Sequence, residues 1–119
     1  MVGTFLPRLF DFHPRSIPIS YYHNNIDTAD FGYFNGKEYV HKIIETPGEV
    51  VSFHGSIASS DPRFHFHASI ALMDHGVVGG HLFNAVVSPL MEIQVTRLRG
   101  IHLSRKLNEK SGLKEIEIS

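Results

Sequence analysis

Cysteine is absent from the 119-residue sequence, and no apolar run approaches the length of a membrane-spanning helix. Without cysteine the chain forms neither disulfides nor thiolate metal sites, and a cysteine-free core suits the cytosol. A transmembrane helix needs about 20 consecutive apolar residues, and the sequence shows no secretory signal. We therefore expect a cytoplasmic protein that does not enter a membrane.

The sequence also lacks a clear excess of charge of either sign. Its 11 Lys and Arg residues against 12 Asp and Glu residues give a net charge of −1. Binding to a phosphate backbone or an acidic membrane relies on clustered positive charge, so direct nucleic-acid binding is not expected. A mild basic cluster is interpreted as a solvated face; it consists of Arg97, Arg99, Arg105 and Lys106.

What is present is the composition of one folded domain. Hydrophobic residues make up 42% of the chain and charged residues 19%, which is not typical of disorder. Asn35-Gly36 lies between two aromatic-rich runs and predicts a hairpin. Residues 64–72 alternate between apolar and polar side chains, which predicts a strand with one buried face. Further strands are predicted at residues 49–57, 77–83, 91–95 and 113–118, and a loop at 104–112. This pattern predicts a mainly antiparallel sheet covered by at most one or two helices.

Histidine is unusually abundant, with nine residues, and three of them are candidate metal ligands. His65 and His67 are two residues apart on a strand, so both imidazoles project from one face and can approach one ion. The position of His81 depends on the register of the following hairpin. A three-residue loop at 74–76 places His81 opposite Ser69 and diagonal to His67, whereas a two-residue loop places it on the apolar face.

Three neutral imidazoles and an open fourth position are typical of a catalytic zinc site. Nitrogen ligands also accept copper, nickel or iron, so the pattern does not select the metal. The alternative interpretation is a polar sheet face whose histidines meet solvent or a subunit interface. Both interpretations stay open at this point.

Three further residues are secondary candidates. His54 is predicted to lie in a strand beside Gly55 and can join the cluster as a fourth group. Glu49 and Glu92 can act as a general base or support a metal-bound histidine, or they can be solvated carboxylates on a strand face. No pattern assigns a nucleophile or a reaction, so the catalytic residues, and whether the protein is an enzyme, stay undetermined.

Four segments, in this order, resemble the plant- and prokaryote-conserved (PPC) domain family. They are EVVSFHGSI (49–57), FHFHAS (64–69), GGHL (79–82) and MEIQV (91–95). The resemblance spans residues 29–118 and implies a single α/β (α+β) domain in which a mixed, mainly antiparallel sheet packs against a helix. It also implies a homotrimer, and a metal-binding set similar to His65, His67 and His81.

The resemblance has one departure and one consequence for nucleic acids. Residues 1–28 lack the family's opening glycine segment and amphipathic helix, so we interpret them as a diverged or truncated N-terminal segment before a PPC-like domain at 29–119. Plant members carry an AT-hook and prokaryotic members are often labelled DNA-binding, but this sequence has no such peptide.

Two functional hypotheses follow from the residues and the resemblance together. The first is a trimeric domain of unknown substrate that binds zinc, or another divalent transition metal, through three histidines. The alternative is a self-assembling interaction module with regulatory protein partners, connected to DNA only by the family label.

Overall fold

The computed structural model describes residues 3, 4 and 25–119, which form eight strands. Within these ranges no residue is helical and every strand pairing is antiparallel. It follows that no described segment could cross a membrane as a helix. The strands are β1 (Gly3–Thr4), β2 (Asn25–Phe34), β3 (Tyr39–Ile44), β4 (Gly48–Ile57), β5 (Phe64–Ala71), β6 (Val77–Val87), β7 (Leu103–Asn108) and β8 (Leu113–Ile118).

The main sheet closes on itself. Its strand order is β1-β6-β5-β4-β2-β3, and an additional pairing joins β2 to β6. The strands β2, β4, β5 and β6 therefore form a ring, with β3 attached to β2 and β1 attached to β6. The strands β7 and β8 form a separate two-stranded ribbon.

The core fills the inside of this ring, and β5 shows how the sequence specifies it. Phe66, Ala68 and Ile70 are buried, while the intervening residues are partly exposed. This alternation confirms the predicted strand. Ile70 is 0% exposed, and burying such a side chain contributes roughly 1.5–3 kcal/mol. The remaining buried residues of the core are Ile26, Ala29, Phe31, Ile44, Leu82 and Ala85.

The predicted helix packed against the sheet is wrong for the residues that the structure describes. An open sheet needs a second layer to cover its apolar face. Here the β2–β6 pairing curls the sheet so that opposite strands cover one another, and the buried residues of β2, β5 and β6 pack together. The predicted N-terminal segment at residues 1–28 falls largely outside the described residues.

Two local predictions in the C-terminal third are also wrong. Residues 91–95 form no strand, although burial alternates along them as the sequence pattern suggested. The segment that carries these apolar side chains is irregular, and its backbone pairs with no strand among the described residues. The polar stretch predicted to be a loop contains β7, which is held by β8 over six residue pairs from Leu103↔Ile118 to Asn108↔Leu113.

Candidate metal centre

The strands β5 and β6 bring His65, His67 and His81 together on the outer face of the main sheet. One ring nitrogen from each histidine lies within 4.8 Å of those from the other two. The Nε2 atoms of His65 and His67 are 3.2 Å apart. The His81 ring meets the other two nearly edge-on, at centroid distances of 4.8 Å and 5.4 Å. All three residues therefore share one face, as the three-residue-loop alternative allowed and the two-residue loop did not.

The register that brings them together differs from the expected one. His81 lies directly opposite His67, rather than opposite Ser69. The amide of Leu72 donates to the carbonyl of Gly76 at 2.8 Å, so the three-residue loop is 73–75. His75, with φ at 65°, takes the left-handed position that the sequence had suggested for Gly76. Because the loop lies one residue earlier than expected, the partner of His81 moves by two residues, from Ser69 to His67. His81 therefore stays on the same face of the sheet, and its ring lies closer to that of His67.

Aromatic side chains from β3 and β6 flank His81. The ring of Tyr39 lies 5.0 Å from that of His81, and the ring of Phe83 lies 4.6 Å from it. His41 stacks on Phe83 at 4.4 Å and is hydrogen-bonded through Nδ1 to Asp30 at 2.9 Å. This packing restricts the orientation of the His81 ring and removes water from one side of the cluster.

The site favours neutral imidazoles, which are the form that binds metals. Burial, with the nearby His65, His67, Arg105 and His41, lowers the pKa of His81 to about 4. Burial is also the main cause of the lowered pKa of His65, followed by the charge of Arg105 and then by His67. At neutral pH both rings therefore hold a lone pair available to an ion.

These residues fit a transition metal ion. The ligand nitrogens around a tetrahedral zinc ion, with Zn–N distances of about 2.0–2.1 Å, lie roughly 3.4 Å apart. The His65–His67 separation is already close to this value. The Nδ1 atom of His81 is buried and has no hydrogen-bond partner among the described residues, which is costly unless something binds it. An ion bound through this nitrogen would satisfy it.

The secondary candidates lie at different distances from the cluster. His54 is directly opposite His67, with ring centroids 6.0 Å apart, but it is not one of the three clustered residues. Glu49 lies at the other end of β4, opposite Ala71, and so four residues along β5 from His67. Glu92 lies in the irregular segment after β6. Of the two candidates on β4, His54 adjoins the site and Glu49 does not.

Arg105 is the neighbouring residue that sequence reasoning missed. It was interpreted as part of a solvated face, yet its Nη2 donates to Ser56 Oγ at 2.7 Å and its Nε to the Pro62 carbonyl at 2.8 Å. Ser56 is directly opposite His65 on β4. Arg105 is 40 residues from His65 along the chain, so only the docking of β7 against the main sheet reveals that the two are close.

The lowered pKa of His81 predicts an acid-sensitive metal-free protein. Between pH about 6.5 and about 4 the unfolded chain protonates this histidine while the folded chain does not, so the free energy of unfolding falls as the pH falls. The measurement is urea denaturation of the chelator-treated protein at several pH values. The variant His81→Phe keeps a ring against Tyr39 and Phe83 and should show a smaller fall. Equal pH dependence in the two proteins would contradict the prediction.

The fold and part of the sequence are similar to known proteins. The metal-containing protein of Archaeoglobus fulgidus is 28% identical with a TM-score of 0.58, over 78% of this chain and 68% of that one. The PPC protein of Pyrococcus horikoshii is 28% identical with a TM-score of 0.57, over 79% and 69%. A protein of Bacteroides thetaiotaomicron named as a "putative dna binding protein" is 23% identical with a TM-score of 0.61, over 80% and 68%, and shows the fold alone.

A curated relative shares a shorter stretch. The "Putative dioxygenase" of Saccharolobus solfataricus is 42% identical over 55 residues, which are 46% of this chain and 14% of that protein. This chain therefore matches about a seventh of that relative's length. The family model of the Plants and Prokaryotes Conserved (PCC) domain matches residues 25–99, a stretch that contains the ring of strands and all three clustered histidines. The chain belongs to this family, the PPC family that its sequence resembles.

Proposed function

We propose that this chain binds a divalent transition metal ion, with zinc as the first candidate, through His65, His67 and His81. The observation that carries the proposal is the convergence of three imidazole nitrogens within 4.8 Å of one another. The buried Nδ1 of His81, which has no hydrogen-bond partner among the described residues, supports it. The similarity to the metal-containing protein of Archaeoglobus fulgidus, at 28% identity, gives further support.

The ligand set favours zinc over harder metals. Imidazole suits zinc, copper, iron and nickel, whereas magnesium and calcium prefer oxygen ligands. Three protein ligands leave a fourth position, at which zinc binds water and lowers its pKa toward neutrality. The position of His54 opposite His67, outside the clustered nitrogens, supports a role beside the ligand His67 rather than as a fourth ligand.

The experiment that tests the proposal is elemental analysis of the chain purified without chelator. We expect close to one zinc or other transition metal ion per chain. The protein should be purified without a histidine tag, because a tag binds the same metals. A metal content near zero, unchanged by dialysis against zinc and re-isolation, would contradict the proposal.

We further propose that the chain assembles as a homotrimer in the cytoplasm. Support comes from β3, whose outer edge has no partner strand among the described residues. Three apolar or aromatic side chains at this edge are exposed: Tyr33 on β2 is 75% exposed, and Val40 and Ile43 on β3 are 53% and 66% exposed. Exposed apolar side chains along an unpaired edge favour association with another chain. The absence of cysteine supports the cytoplasmic assignment.

Sedimentation at micromolar concentration tests the assembly. We expect a mass of three chains, and a shift toward monomer in Val40→Asp, because a charge on β3 would be buried by a neighbouring copy. Met73→Asp, at the exposed turn between β5 and β6, is the matched control and should stay trimeric. A monomer in the unmodified protein would contradict the proposal.

DNA binding is not part of the proposal. The Bacteroides thetaiotaomicron neighbour, whose name mentions DNA binding, is 23% identical, which shows the fold alone. The net charge of −1 provides no general attraction to phosphates. Arg105, whose charge acts on His65 and His81, donates hydrogen bonds to Ser56 and Pro62 and, among the described residues, belongs to no cluster of cations around the site.

A further inference from the structure

A cleft of about 650 Å³ opens beside the three-histidine cluster, between the main sheet and the β7–β8 ribbon. His65, His81, Ser56 and Arg105 all lie in its wall. Clefts of this size hold small organic molecules. Much of the remaining lining is apolar or aromatic, including Tyr39, Phe64, Phe66, Phe83, Leu113 and Ile116.

Arg105 donates three hydrogen bonds that fix it in this cleft. Its backbone amide donates to Ser60 Oγ at 2.6 Å, its Nε to the Pro62 carbonyl at 2.8 Å and its Nη2 to Ser56 Oγ at 2.7 Å. Because Ser56 is the cross-strand partner of His65, the guanidinium is held one strand away from the cluster. A guanidinium oriented in advance loses less side-chain entropy when it binds a ligand.

The charge of Arg105 is not neutralised within the described part of the chain, where no carboxylate forms an ion pair with it. The other charged side chains of the cleft wall are engaged elsewhere. Lys114 Nζ lies 3.4 Å from Asp61 Oδ2, and Glu115 accepts hydrogen bonds from Asn108 and Ser111. All three acceptors of Arg105 are neutral oxygens, so a half-buried positive charge lines a largely apolar cleft with no carboxylate of the described residues paired to it.

We propose that this cleft binds a small organic acid whose anionic group pairs with Arg105 and whose apolar body packs on the aromatic lining. The inference deepens the proposed function, because it names the substrate class of the same metal centre. A guanidinium donates hydrogen bonds equally well to a carboxylate and to a phosphate. The aromatic lining and the neighbouring histidines favour a carboxylate attached to an apolar group, of which phenylacetate is the simplest probe.

Calorimetric titration of the purified chain, with its zinc content measured in parallel, tests the inference. Phenylacetate is compared with phenylacetamide, which has the same shape without the charge, and with inorganic phosphate, which lacks the apolar body. We expect phenylacetate to bind at least about tenfold more tightly than either. Equal affinity for the acid and the amide would overturn the role of Arg105, and equal affinity for phosphate would overturn the organic-acid class.

Two substitutions on β7 then test which positive charge binds phenylacetate. Arg105→Gln should weaken phenylacetate binding about tenfold or more, while Lys106→Gln, which removes an exposed cation from the next position, should not. Unchanged affinity in Arg105→Gln would overturn the inference. If that variant does not fold, two measurements still test the role of Arg105. They are the phenylacetate affinity of Arg105→Lys and the comparison of phenylacetate with phenylacetamide on the unmodified chain. A chain that binds no transition metal would refute the proposed function, whereas the comparison of ligands would still test the role of Arg105.

Discussion

We expect the triple variant His65→Ala/His67→Ala/His81→Ala to contain no stoichiometric metal, whereas the unmodified chain carries close to one ion. The physical reason is that the three imidazoles are the ligand set, and alanine offers no donor in their place. Even residues that support a ligand change metal affinity by roughly 10–100-fold, so the single variant His67→Ala should lose more than about 100-fold. Elemental analysis measures the stoichiometry, and competition with a chromogenic chelator measures the affinity.

His54→Ala is the matched control for this prediction. It removes an imidazole whose ring centroid lies 6.0 Å from that of His67. The nitrogens of this ring do not belong to the three-histidine cluster. The variant should keep its stoichiometric metal, with an affinity change smaller than that of His67→Ala. Zinc should also raise the thermal unfolding temperature of the unmodified chain and leave that of the triple variant unchanged. Metal retained by the triple variant would refute the proposed ligand set.

The shared face of His65 and His67 could be predicted from the sequence, because it depends only on the local periodicity of a strand. A strand places residues i and i+2 on one face, so the relation between His65 and His67 required only that residues 64–72 form a strand. His81 was harder, because its position depends on which three residues form the hairpin loop. The left-handed backbone at His75, where glycine was expected one residue later, set the register.

Arg105 and the cleft could not be predicted, because they depend on contacts between distant segments. The polar sequence of β7 shows no apolar alternation, and its strand exists because β8 pairs with it. Nothing local indicates that this ribbon docks beside β5 through Ser56, Ser60 and Pro62. The absence of a covering helix among residues 25–119 has the same kind of cause, since closure of the sheet through β2 and β6 is a long-range pairing.

Gly79→Ala is expected to destabilise the protein by about 1–3 kcal/mol and to weaken metal binding. A Cβ atom at Gly79 would collide with the carbonyl oxygen of Ala68 and would lie 2.8 Å from Ser69 Cα. Both atoms belong to the backbone of β5, the strand that carries His65 and His67, so neither can rotate away. Relief of the collision requires β5 and β6 to separate, which moves His81 away from its partner His67.

Gly76→Ala separates this effect from the loss of a glycine as such. It lies in the same hairpin, but the three atoms nearest its Cβ would all belong to the Asp74 side chain, the closest at 3.0 Å. That side chain is exposed and can adjust, although its Oδ1 accepts a hydrogen bond from the Gly76 amide. We expect a change within about 0.5 kcal/mol for this variant, as for most surface substitutions. Urea denaturation of the metal-free proteins measures the stability, and chelator competition measures the zinc affinity. If Gly79→Ala matched Gly76→Ala in both measurements, close packing of β6 on β5 would not be what positions His81.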